Sequence, residues 1–177
     1  AADFTRRTVK LEAKPALLDL PGTEKVAAML TWPGKPAPAG FKPPRPLTAD
    51  EQARFEMGKA LYAGVCAGCH QPSGSGLDGV APPLIDSEWV TGSPERISRI
   101  VLHGVRGYIT VKKKRYQLDM PPLGALGDEP LAAILTYLRR EWEHGAEPIA
   151  PDFLKAVREK EARRTDSWTE QELLKIP

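Results

Sequence analysis

Two cysteines three residues apart, with a histidine directly behind them, limit what this chain can become more than any other feature. The stretch is CAGCH, Cys66 to His70, and it holds both cysteines of a 177-residue chain. A thioredoxin-like redox disulfide needs C-x-x-C at a helix N-terminus after a buried strand, in a βαβ setting. The residues ahead of Cys66, TADEQARFEMGKALYAGV, read as a helix instead. A closed zinc site needs four Cys or His ligands. The histidines available are His70, His103 and His144, and no two stand at H-x3-5-H spacing.

A third chemistry uses every position of the motif. C-x-x-C-H is the spacing of covalent c-type haem attachment, with two thioethers to the porphyrin vinyl groups and the histidine as an axial iron ligand. Two intervening residues set the sulfurs against adjacent vinyls, and the next side chain then falls under the iron. One haem c is expected, bound through Cys66 and Cys69, with His70 on its iron. Thiol–disulfide exchange stays open as the alternative, since short motifs also occur by chance.

Composition is compatible with this. The hydrophobic fraction is 41% but aromatics are only 7%, a light core to which a buried haem would add apolar mass. Lys and Arg total 25 against 23 Asp and Glu, so no nucleic-acid partner is expected. No apolar run approaches the ~18 residues of a membrane span, so no transmembrane segment is expected. The opening AAD lacks Met, which fits a processed exported protein or equally a piece of a longer chain. The length suggests one domain with additions.

Residues 33–46, PGKPAPAGFKPPRP, hold six prolines in fourteen positions and predict an extended strap. Residues 1–46 thus form an N-terminal extension, with one short helix from Thr23 to Leu30. Thr48 and Glu51 have capping-box spacing, and Phe55, Gly58, Leu61 and Tyr62 share one face of the helix that delivers CAGCH. A glycine-rich loop follows. Ser93, Pro94 and Gly104 read as cap, first residue and stop of the next helix. YITVKKKRYQL predicts a β-hairpin with its lysines near the turn. Its sequence is unlike that of ligand-bearing loops, so the hairpin is expected to be dispensable for haem ligation. The KKKR tip, 112–115, reads as a solvated surface or a dock for an acidic redox partner. Asp128 is expected to cap a helix that runs to Gly145, with Leu131, Ile134, Leu135 and Leu138 as its apolar stripe. A polar helix from Pro151 to about Arg164 and a tail, SWTEQELLKIP, complete the C-terminal extension, 146–177.

The order from 47 to 145 (helix, haem motif, loop, helix, hairpin, MPP loop, helix) resembles a class I monohaem cytochrome c. The stretches APPL, SEWV, RIVLHG and LDMPPLG are similar to bacterial cytochrome domains fused to, or partnered with, periplasmic dehydrogenases. The resemblance covers roughly 100 residues, one domain's length. It implies a mostly α fold, with crossed N- and C-terminal helices around covalent haem, a small β-hairpin insertion and irregular extensions at both ends. Gly58 with Tyr62, and Tyr137 with Leu138, stand where those two helices would meet.

The resemblance also implies roles. Pro82 would lend its carbonyl to the free ring nitrogen of His70, and Leu84 would pack on the haem. Trp89 would lie beside it, its indole N–H donating to a propionate or backbone oxygen. Two residues are candidates for the sixth ligand. Met120 lies in DMPPLG, fifty residues after His70, enough chain to circle the ring edge. His103 ends a helix, where imidazole also suits the dipole. With His/Met ligation the iron exchanges electrons and not ligands. The expected function is one-electron transfer between a periplasmic dehydrogenase donor and a cytochrome or oxidase acceptor, in the periplasm or otherwise outside the cytoplasm. The chain is read as a carrier and not an enzyme on its own. Rival readings are the electron-accepting domain of a larger dehydrogenase and a haem catalyst or gas sensor with an open sixth site.

Overall fold

The computed structural model describes residues 9–35 and 43–177. The chain divides into two compact units, Ala1–Lys42 and Pro43–Pro177.

In the first unit, β1 (Val9–Lys10) pairs in parallel with β2 (Leu30–Thr31), Val9 opposite Leu30. A 3-10 turn, Ala16–Asp19, and helix α1, Glu24–Ala28, lie between them in sequence. The helix is shorter than the expected Thr23 to Leu30. Leu30 and Thr31 leave it to pair with the start of the chain, where Leu11 N–H donates to Thr31 O at 2.8 Å. Among the described residues of this unit no side chain is buried. Of the proline-rich strap, residues 36–42 lie outside the described residues.

The second unit begins with α2, Ala49–Val65. Its capping box forms as the spacing predicts: Glu51 N–H donates to Thr48 Oγ1 at 3.3 Å, and Thr48 N–H to Glu51 Oε2 at 2.9 Å. A turn of helix, α3 (Ala67–His70), carries the motif. Then come α4 (Glu88–Thr91), α5 (Pro94–His103), the antiparallel strands β3 (Ile109–Val111) and β4 (Lys114–Tyr116), and α6 (Asp128–Arg140). Helix α2 packs on α6 at Gly58. A Cβ there would run into the Ala133 carbonyl oxygen and lie 2.9 Å from Tyr137 Cβ, so only glycine lets the backbones approach. The Tyr137 ring sits 5.2 Å from Phe55 and 5.3 Å from Tyr62, sealing the same contact with tilted aromatic pairs.

Three expectations need correction. Gly127, not Asp128, occupies the N-cap position of α6, and the Asp128 carboxylate instead accepts from Arg158. Helix α6 stops at Arg140, not Gly145. Trp142 and Glu143 take positive φ, 53° and 67°, which folds the chain back and lays Trp142 against Tyr62 and Tyr137. His144 secures that reversal: Nδ1–H donates to Leu138 O at 2.6 Å, and Nε2 accepts from Asp86 N–H at 2.9 Å.

The third correction concerns the C-terminal segment: its expected polar helix forms, ending at Lys160 and not at about Arg164, but the tail behind it is not irregular. Helix α7 (Pro151–Lys160) is followed by α8 (Glu170–Leu173), whose capping box, Thr169 with Glu172, lies in the expected tail. Leu154 and Leu173 are fully buried, and Val157 and Trp168 nearly so. Arg99, 2% exposed, pairs across to Glu161 of this segment at 2.8 Å. Residues 146–177 therefore supply core to the second unit.

Candidate functional site

Between α3, α5, α6 and the loop at Met120 lies a cavity of about 720 Å³, counted to its open mouth. Cys66 and His70 enter it from the end of α2 and from α3, Leu84 and Trp89 from the segments that follow. Ile97, Ile100 and Val101 project from one face of α5, and Ile134 and Leu138 from α6. Met120 lines the cavity as well. A second cavity shares Cys66, His70 and Met120 with the first and adds Cys69, Val65, Asp119 and Pro121 to its lining. His103 is not among the lining residues. Its ring packs edge-on to Trp168 instead, centroids 6.5 Å apart, and burial, then Arg164, holds its imidazole below the ordinary range.

His70 is held in one orientation. Its Nδ1 lies 2.9 Å from Pro82 O, an atom that can only accept, so Nδ1 carries the proton and Nε2 the lone pair. Burial lowers the His70 pKa, which keeps the ring neutral. The loop presenting Pro82 is folded tightly onto the motif: Gly76 N–H donates to His70 O at 2.9 Å, and Leu84 N–H to Gly74 O at 2.8 Å. Gly76, at φ +71°, lies so close to Pro82 that a Cβ would stand 2.7 Å from its oxygen. Tyr62, from α2, donates its hydroxyl to Gln71 O at 2.6 Å, pinning the far end of α3.

The two cysteines differ. Cys66 is buried and Cys69 exposed. Burial, with Cys69 beside it, pushes the Cys66 thiol up to about 11. Thiol-exchange enzymes do the opposite, lowering the attacking cysteine to roughly 3.5–7.5. Among the described residues no three His, Cys, Asp or Glu side chains gather into a metal cluster. The donor set fits haem: an imidazole with a free lone pair, a thioether and two thiols around an otherwise apolar slot.

The hairpin also reaches the site. Ile109 of β3 lines the cavity, and Trp89 Nε1–H donates to Thr110 O at 2.8 Å, so the hairpin is part of the cavity wall. It contributes wall and no candidate ligand, and its expected dispensability for ligation is a matter for the variants below. Alternation in YITV was the available signal, since it turns Ile109 and Val111 to one side. The α5 wall was similarly legible in the i, i+3, i+4 spacing of Ile97, Ile100 and Val101. At the tip, Lys112 and Lys113 both take positive φ, 50° and 65°, as a two-residue hairpin turn requires. Lys114 is paired with Asp78, and Lys112 lies 3.7 Å from Asp86, so half of the KKKR charge is met within the chain.

A c-type cytochrome is the class of protein that such a fold and cavity define. Residues 53–138 match the family described as Cytochrome C oxidase, cbb3-type, subunit III. Cytochrome c-552 of Thermus thermophilus is 34% identical over 112 residues, 58% of this chain and 85% of that protein. The chain belongs to the cytochrome c family. It is also 32% identical over 110 residues to the fructose dehydrogenase cytochrome subunit of Gluconobacter japonicus, covering 57% of this chain. The gluconate 2-dehydrogenase cytochrome c subunit of Pantoea cypripedii is 29% identical over 99 residues. The chain spans only 22% and 21% of those two subunits. Cytochromes c are electron carriers, not enzymes, and membership implies haem c with its iron. Among the described residues no helix is long and apolar enough to cross a membrane.

Proposed function

We propose that this protein is a one-electron carrier with a single haem c, attached through Cys66 and Cys69 and ligated by His70 and Met120. The observation that carries this is a conjunction. Cys66, His70 and Met120 line one apolar cavity, and the His70 ring is tied to Pro82 O so that Nε2 keeps its lone pair. When bound, haem supplies a one-electron couple; a thioether ligand raises its potential and leaves no coordination site for a substrate. The protein's part is to hold and bury. Pro82 fixes the tautomer of His70, Leu84 and Trp89 form walls, and the α5 and α6 side chains exclude water and so limit charge reorganisation. The similarity to dehydrogenase cytochrome subunits supports a donor of that kind, with a cytochrome or oxidase as acceptor. Covalent haem supports a site outside the cytoplasm.

The covalent bond is tested on the purified protein. Acid–acetone extraction is expected to leave haem on the chain, and the band on a denaturing gel to stain for haem peroxidase activity. Cys66→Ala should retain at most one thioether. Haem that extracts from the parent protein would overturn the attachment. The reduced protein should bind carbon monoxide slowly or not at all, whereas an open-site sensor would take it up at once.

The hairpin yields a second expectation. Replacing Lys112, Lys113 and Lys114 with Gln should leave the absorption spectrum unchanged, because their charges lie at the turn. Ile109→Asn should shift it, by placing an amide on the cavity wall. Equal spectra for both variants would show that β3 does not contact the haem.

A further inference from the structure

The Met120 loop has little covering it from outside: Pro121, Pro122 and Ala125 are all exposed. Its hold comes from its two limbs, and the C-terminal segment reaches both. On the first limb, Met120 exchanges both backbone hydrogen bonds with Val105, at 2.9 and 3.0 Å. Trp168 brackets Val105 from the other side: its N–H donates to Gly104 O at 3.0 Å, and its oxygen accepts from Arg106 N–H at 2.8 Å.

On the second limb a single side chain acts. Arg158, on α7, donates from Nη1 to Gly124 O at 2.6 Å and from Nη2 to Leu126 O at 2.8 Å. Its Nε–H donates to Asp128 Oδ1 at 2.7 Å. Leu154 and Val157, 0% and 2% exposed, anchor α7 in the core, so the guanidinium is a fixed point. It is planar, always charged and three-pronged here, a geometry no lysine reproduces.

We propose that Arg158 is a positioning residue for the Met120 thioether, and that it sets the pH at which this ligand is displaced. The inference rests on the reading that Met120 ligates the iron. Release of the thioether requires the segment from Met120 to Leu126 to swing off the cavity. While Arg158 holds the carbonyls of Gly124 and Leu126, that motion must break two charge-assisted hydrogen bonds. Without Arg158 the second limb keeps Leu123 N–H on Val101 O, at 2.8 Å, and the packing of Leu123 and Leu126 on the core. Local opening then costs less and the displaced state gains population.

The test is an alkaline titration of the oxidised holoprotein, following the near-infrared sulfur-to-iron band, with hydrogen exchange at the Leu123 and Leu126 amides as a second readout. Arg158→Ala is expected to lower the midpoint of band loss by about one pH unit, a tenfold shift in an equilibrium in which one lysine ammonium gives its proton to solvent and its amine replaces the thioether, and to speed exchange at both amides. Arg158→Lys should move both in the same direction by less, and it carries the test if the alanine variant does not fold. Asp128→Asn removes the ion pair but spares both carbonyl bonds, so its midpoint should stay near that of the parent. A parent band with an unchanged midpoint and unchanged exchange in Arg158→Ala or Arg158→Lys overturns the proposal. An equal shift in Asp128→Asn does so too, because the effect would then be general stability. If the parent has no such band, Met120 ligation itself has failed, and this inference falls with it.

Discussion

Met120→Ala is expected to open the sixth coordination position, turn the iron at least partly high-spin and lower the reduction potential. Axial ligands span about 0.8 V of haem potential, and loss of a thioether removes a soft, neutral donor that favours ferrous iron. The shift should therefore exceed that of any substitution in the cavity wall. Being too weakly basic to take up a proton, a thioether should also stay bound at a pH where a sixth-ligand imidazole would protonate and leave. The parent should keep its near-infrared band in acid and lose it in alkali, and the reduced alanine variant should bind carbon monoxide rapidly. Potentiometry and the spectra of both oxidation states check this. His103 provides the control. Its ring lies against Trp168 and outside the cavity, so His103→Ala should leave the spectrum alone. The opposite pattern would show that the ligand has been misassigned.

Gly58→Val is expected to give a large loss of stability. Gly→Ala in a helix ordinarily gains about 1 kcal/mol. Here even a Cβ would collide with the Ala133 carbonyl and crowd Tyr137. Those atoms belong to the backbone of α6 and to the root of a buried side chain, so neither can rotate away. Helices α2 and α6 must separate, and the Phe55, Tyr62 and Tyr137 ring contacts loosen with them. An overpacking cost of roughly 1–3 kcal/mol or more is expected, with Tm lower by roughly 5–15 °C in a unit of this size. Thermal melts of the oxidised protein would measure it. Gly64, beside which a Cβ would meet nothing within 4 Å, is the matched control on the same helix. Its Ala variant should be neutral or slightly stabilised. A Gly58 variant as stable as the parent would show that the two helices do not rely on this contact.

Much of the site could be read from the chain because its signals are local. The capping box at Thr48, the Ser93–Pro94 helix start and the Lys112–Lys113 turn depend on residues a few positions apart. So does CAGCH, whose spacing alone puts two sulfurs and an imidazole on one turn. Other features arise from partners distant in sequence. Nothing near position 140 announces that α6 ends there. The reversal at Trp142 depends on His144 meeting Asp86, 58 residues away. Hairpins are also legible from alternation, yet whether β3 faces a cavity or solvent depends on what packs against it.

Residue types along the chain fix the donor chemistry on offer: two thiols, three imidazoles and three thioethers, with CAGCH ahead of DMPPLG in the order that a resemblance to cytochromes c requires. Which of these sulfurs and imidazoles share a cavity follows from packing. It separated Met120 from His103 by placing one on the cavity and the other against Trp168. It also turned residues 146–177 from an appendage into the brace of the Met120 loop. The physical reason is the same in each case. Donor chemistry belongs to single residues, whereas burial and hydrogen-bond partnership belong to pairs, and Arg158 reaches Gly124 across 34 residues of chain.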